Sequence, residues 1–130
     1  MKKTMLLLAL IVISMTAFSQ ALIKEFEWKK GFTGNYWIPI RVTYDNTQGT
    51  TNVCMGLYKN AALWNEVKDT PEQRQSNVLA QKEEFRLVGK VLEANLLDSI
   101  KAYKGPYYGP GPMGRENTYV NFFSDAVIQN

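Results

Sequence analysis

The sequence predicts a small α+β fold: a two- or three-stranded antiparallel sheet packed against one long helix and one or two short ones. Three observations predict it. YWIPIRVTY, residues 36–44, alternates with period two. A helix-start signature at Thr70 is followed by apolar residues at helical spacing as far as Tyr103. The connecting segments are rich in Gly, Asn, Asp, Thr and Pro, the residues of turns.

The elements come in this order. LIKEFEWK, residues 22–29, sets Leu22, Phe26 and Trp28 on one side of an extended chain and Glu25 and Glu27 on the other, with Lys24 interrupting the apolar side. In the next strand Tyr36, Ile38, Ile40, Val42 and Tyr44 share one face, and Trp37, Pro39, Arg41 and Thr43 the other. Pro39 cannot donate to a ladder, which places it at an edge or a bulge. DNTQGTTN, residues 45–52, is a hairpin connection. A short returning strand to about Met55 and a helix from about Leu57 to Lys68 come next, the helix read from Leu57, Ala61, Trp64 and Val67.

Thr70, Pro71 and Gln73 form a capping box with proline at the first helical position. The apolar stripe Val78, Phe85, Val88, Leu92, Leu96, Ile100 and Tyr103 then predicts a helix over 71–104, ended by Gly105 and Pro106. Unbroken, it is about 51 Å long, against a radius of gyration of about 13 Å for a domain of this size. It must therefore protrude, bend or break, and Gln75-Ser76-Asn77 and Gly89 are the weak points. The tail NTYVNFFSDAVIQN fits a short helix, although Val120, Phe122 and Ala126 also fit a strand.

The first 19 residues have the layout of a cleaved secretory signal peptide: Lys2 and Lys3, an apolar run from Met5 to Met15, then Ala17 and Ser19 before Gln20. The run falls short of the roughly 20 residues that cross a bilayer. The expected product, residues 20–130, is a single α+β domain with no membrane span, in the periplasm or outside the cell. Loss of Lys2 and Lys3 from 15 basic residues leaves 13 against 12 acidic ones, a net charge of +1. The bases are scattered among acids, so no nucleic-acid partner is expected.

The chain has no histidine and one cysteine. That excludes Ser-His-Asp and Cys-His nucleophiles, CxxC redox chemistry and most zinc sites, and no metal or cofactor is expected. With no second cysteine there is no intramolecular disulfide, and Cys54, among Val53, Met55 and Leu57, reads as a small buried hydrophobe. GPGPMG, residues 109–114, spells the dinucleotide fingerprint, but it follows a helix and its prolines remove amides that a phosphate needs. DNTQGT lacks the alternating acids and terminal glutamate of a calcium loop.

Two kinds of chemistry survive. Glu25, Glu27, Asp45, Glu116 and Asp125 are the carboxylates available for an acid/base pair acting on envelope glycans, although no spacing selects a pair. Aromatics beside arginine are the other: Trp37 with Arg41 on the best strand, and Tyr107, Tyr108 and Arg115 in the Gly/Pro segment. Rigid amphipathic rings with an adjacent guanidinium suit a protein or glycan partner. The expectation is a non-enzymatic interaction module binding through Trp37, Arg41, Tyr107, Tyr108 and Arg115. The alternatives are a carboxylate hydrolase of envelope glycans and a structural subunit whose Pro39 strand pairs with a neighbour.

Overall fold

A computed structural model of the chain describes residues 20–105 and 120–130. The leader 1–19 and the segment holding GPGPMG, Tyr107, Tyr108, Arg115 and Glu116 lie outside the described residues. The elements run β1 (Ala21–Lys29), β2 (Phe32–Asp45), β3 (Thr50–Tyr58), α1 (Ala61–Val67), α2 (Pro71–Ser76), β4 (Ala80–Val88), α3 (Glu93–Lys101) and β5 (Val127–Gln129). The strands form one antiparallel sheet in the order β4-β3-β2-β1-β5.

This corrects the predicted architecture. The sheet has five strands rather than two or three, and the long helix does not exist: residues 71–104 divide into α2, β4 and α3. Both weak points are real boundaries, α2 ending at Ser76 and β4 ending before Gly89, which takes a φ of 77°. Between them, AQKEEFRLV is built largely of good helix formers, yet it pairs with β3 from Thr50↔Val88 to Leu57↔Ala80. Propensity is a weak prior that tertiary pairing overrides.

The misreading has a second cause. A bulge sets Cys54 opposite two residues of β4, because Val53 pairs with Phe85 while Met55 pairs with Lys82. The inward phase therefore jumps from Lys82 to Phe85 and Leu87, and the period of two is hidden. Val88 and Leu92, counted in the helical stripe, are exposed. The expected helix from Leu57 starts later, at Ala61, because Gly56, Leu57 and Tyr58 complete β3. Among the described residues 120–130 there is no C-terminal helix either: residues 122–125 form a turn and β5 comes after it.

Both faces of the sheet are covered. On one, Leu22, Trp37, Val53, Met55, Leu57, Phe85 and Leu87 pack under Leu96, Leu97 and Ile100 of α3 together with Tyr103, Phe123 and Ala126. On the other, Ala21, Tyr36, Ile38 and Tyr58 meet Trp64 and Val67 of α1. Asn60 caps α1 by accepting from the Leu63 N–H. Thr70 makes no such side-chain bond at α2, so of the expected box only Pro71 at the first turn is realised.

The C-terminal segment is bound to α3 by one side chain. Asn121 Nδ2 donates to the carbonyls of Ile100, Lys101 and Tyr103 at 2.7, 3.1 and 2.8 Å, and its Oδ1 accepts from the Phe123 N–H. It thus satisfies the free end of the helix and aims Phe123 at the core. Asn121→Asp keeps the shape but turns a carboxylate towards those carbonyls. It is expected to destabilise by about 2–4 kcal/mol in urea titration, and at least as much as Asn121→Ala; a neutral effect of both removes Asn121 from this role.

Candidate functional site

Trp37 leaves the predicted site. It is fully buried, its indole donates to the Lys24 carbonyl at 3.0 Å, and its ring meets Phe26, Phe122 and Phe123 edge-on or tilted. The face of β2 read as polar is thus a core face, because α3 and residues 121–126 cover it. Pro39 sits where β1 has ended: β1 meets β2 only as far as Leu22↔Trp37, so its missing N–H removes no bond to that strand. Beside it lies a bulge, since Pro39 pairs with Met55 and Arg41 with Cys54.

That bulge builds a cleft. Ile40 lies across Gly56 so closely that a Cβ there would sit 2.7 Å from Ile40 Cγ2. A bare backbone at Gly56 is what admits Ile40 as part of the floor. Tyr58, Trp64 and Val78 complete the apolar lining, with the Tyr58 and Trp64 rings 4.9 Å apart. Pro71, Arg74 and Gln75 of α2 form one wall, and Pro39, Arg41 and Gln81 the other. Tyr58 Oη donates to the Arg74 carbonyl at 2.9 Å, tying α2 to the sheet. The cleft is open to solvent and has a volume of about 420 Å³, within the range of small-ligand sites.

Arg41, the one predicted site residue placed here, lines both this cleft and a smaller polar hollow with Thr43, Asn52, Cys54, Glu83 and Arg86. Its Nη2 lies 2.6 Å from Glu83 Oε1, with both side chains more than half exposed. Such a pair contributes about 1 kcal/mol or less and leaves the guanidinium free to change partners. Tyr107, Tyr108 and Arg115 lie outside the described residues.

The cleft is lined by apolar, amide and guanidinium groups. None of the described residues lining it is acidic, and among the described residues no cluster of Cys, Asp and Glu fits a metal. Three of the five carboxylates noted in the sequence have local tasks: Asp45 accepts from Thr47 and Gln48 N–H in its own turn, Glu27 from Gly31, and Asp125 bonds Lys24 Nζ. That last bond holds the Asp125 carboxyl below its usual range. Burial pushes the Tyr58 hydroxyl up to about 12 and the Cys54 thiol up to about 11, the latter helped by its contact with Glu83.

No protein-family model, curated protein or solved structure matches this chain. The site is therefore read from its own residues. Most of them escape a reading of the sequence because the helical spacing there draws Tyr58 and Gln81 into helices. The available signal was Gly56 inside the apolar run VCMGLY, a mark of close approach within a strand.

Cys54 is expected to be inert while folded. A rise of its pKa from 9.0 to about 11 lowers the thiolate fraction at pH 8 by roughly a hundredfold, so reaction with a disulfide reagent should be slower than in urea by at least that factor. Because the folded value is raised, its contribution to stability is complete below the ordinary thiol range and disappears as pH climbs through 11. Equal rates in both states refute the burial argument.

Proposed function

We propose that this protein is a non-enzymatic interaction module of the periplasm or cell exterior, and that its cleft receives an extended, acidic peptide segment of a protein partner. The observation that carries the reading is the composition of the cleft: an apolar floor of Ile40, Tyr58, Trp64 and Val78 under a rim of Arg41, Arg74, Gln75 and Gln81. The floor suits an aliphatic or aromatic anchor, and the amide and guanidinium groups suit carbonyls and carboxylates. An apolar floor with aromatic rings almost wholly buried offers little open ring face for a sugar to stack on. The signal-peptide layout of residues 1–19 supports the compartment.

A structural subunit is the second reading, favoured by one observation. Among the described residues, 39–45 of β2 pair with β3 and have no strand on the β1 side, and Val42 and Tyr44 there are exposed. Mass that rises with concentration in light scattering, and is lost on Val42→Lys, supports it.

The peptide reading is tested with arrays of acidic peptides bearing one apolar residue, alongside glycan arrays. Gln75→Trp, which fills the mouth, and Arg41→Ala are expected to leave the melting midpoint within about 2 °C and each to weaken peptide capture about tenfold or more. Capture of glycans in place of peptides, or capture indifferent to both variants, overturns it.

A further inference from the structure

The hairpin of β1 and β2 outruns the rest of the sheet. Pairing of β3 with β2 ends at Tyr36↔Tyr58, whereas β1 and β2 continue to Lys29↔Phe32. The Asn35 N–H still bonds the Lys59 carbonyl and Gly34 is buried against Leu57 and Tyr58, so Phe32 and Thr33 with their β1 partners project about 7 Å as a two-stranded ribbon. The turn is Lys30-Gly31, with Gly31 at a φ of 84°, and the Gly31 N–H donates to Glu27 Oε1.

The tip carries side chains that a bare ribbon has no structural use for. Trp28 is 37% and Phe32 55% exposed, and their rings pack 5.8 Å apart into one apolar surface. Trp37 and Trp64, by contrast, are buried. Lys29 and Lys30 flank the pair, both exposed, with Lys29 Nζ 5.7 Å from the centre of the Phe32 ring. A convex tip with an aromatic pair at its end and two ammonium groups beside it complements a flat interface that is apolar below and negative above. A concave protein site would have to enclose both lysines and desolvate them.

We propose that this tip is an interfacial anchor for a membrane surface bearing anionic lipid headgroups. Trp28 and Phe32 sit at headgroup depth, where amphipathic rings are favoured, and Lys29 and Lys30 stay in the phosphate layer above them. Each lysine strengthens binding roughly fivefold at such a surface. The anchor uses no residue of the cleft and stands or falls independently of the peptide reading.

The experiment uses the full chain, exported by its host and purified as the cell leaves it, with its N-terminus established by mass. It is mixed with phosphatidylcholine vesicles with and without phosphatidylglycerol. Wild type is expected to sediment with the phosphatidylglycerol vesicles and less so in high salt. Brominated acyl chains should quench its tryptophan emission through Trp28, since Trp37 and Trp64 are enclosed. Lys29→Glu with Lys30→Glu should weaken binding about 25-fold or more, and Trp28→Ala with Phe32→Ala should abolish both binding and quenching. The lysine variants alter only exposed side chains, so they decide the question even where the aromatic variants fail to fold. Absence of sedimentation, binding indifferent to the lysines, or a tip that engages a protein and not lipid overturns the proposal.

Discussion

The structure depends on the offset pairing of one strand. β2 runs for 14 residues, and each neighbour covers only part of it: β1 covers Phe32 to Trp37, β3 Tyr36 to Asp45. Where the two overlap, around Tyr36 and Trp37, β2 is paired on both sides and its side chains alternate into both cores. At one end the uncovered length becomes the projecting hairpin. At the other it runs past the end of β1, and its bulge at Ile40 shapes the cleft. A shorter β2 would keep the core and lose both surfaces.

The two coverings of the sheet differ in kind. α3 and the 121–126 segment form a tight aromatic layer, with Phe26, Trp37, Phe85, Tyr103, Phe122 and Phe123 in successive ring contacts. Lys24 and Lys82 place their ammonium groups over its outer rings, at 4.2 Å and 4.6 Å from Phe122. Lys24, which interrupts the alternation of β1, is in this way part of the layer, its charge also met by Asp125 and the Phe122 carbonyl. α1 and α2 are short and cover their face only in part. That incomplete coverage leaves the cleft, so the weaker packing and the candidate site have one origin.

Legibility of the sequence tracks local regularity. β1, β2 and the turn at Asp45 are readable because alternation and turn residues agree there. β4 is not, since its bulge breaks the alternation and Glu83, Glu84 and Arg86 favour a helix when taken alone. Gly89 and the Gln75-Ser76-Asn77 run read as breaks, but a break does not reveal whether helix or strand lies beyond it. Arg41 is legible as an exposed cation on a strand. Trp37 misleads, because a face that looks polar from Arg41 and Thr43 is covered further along by Phe123 and Ala126, from the far end of the chain.

The ends of the described chain meet. Ala21, Leu22 and Ile23 pair with Gln129, Ile128 and Val127, and Gln20 Nε2 donates to Asn130 Oδ1 at 2.6 Å. β5 therefore completes the edge begun by β1, across the 110 residues that separate Gln20 from Asn130, and closing so long a loop is a slow step. Until that loop closes, the sheet has no fifth strand and Phe123 is not in its place, so the aromatic layer is finished only when residues 121–129 reach the sheet. A core sealed by its most distant partner stays open until that partner docks.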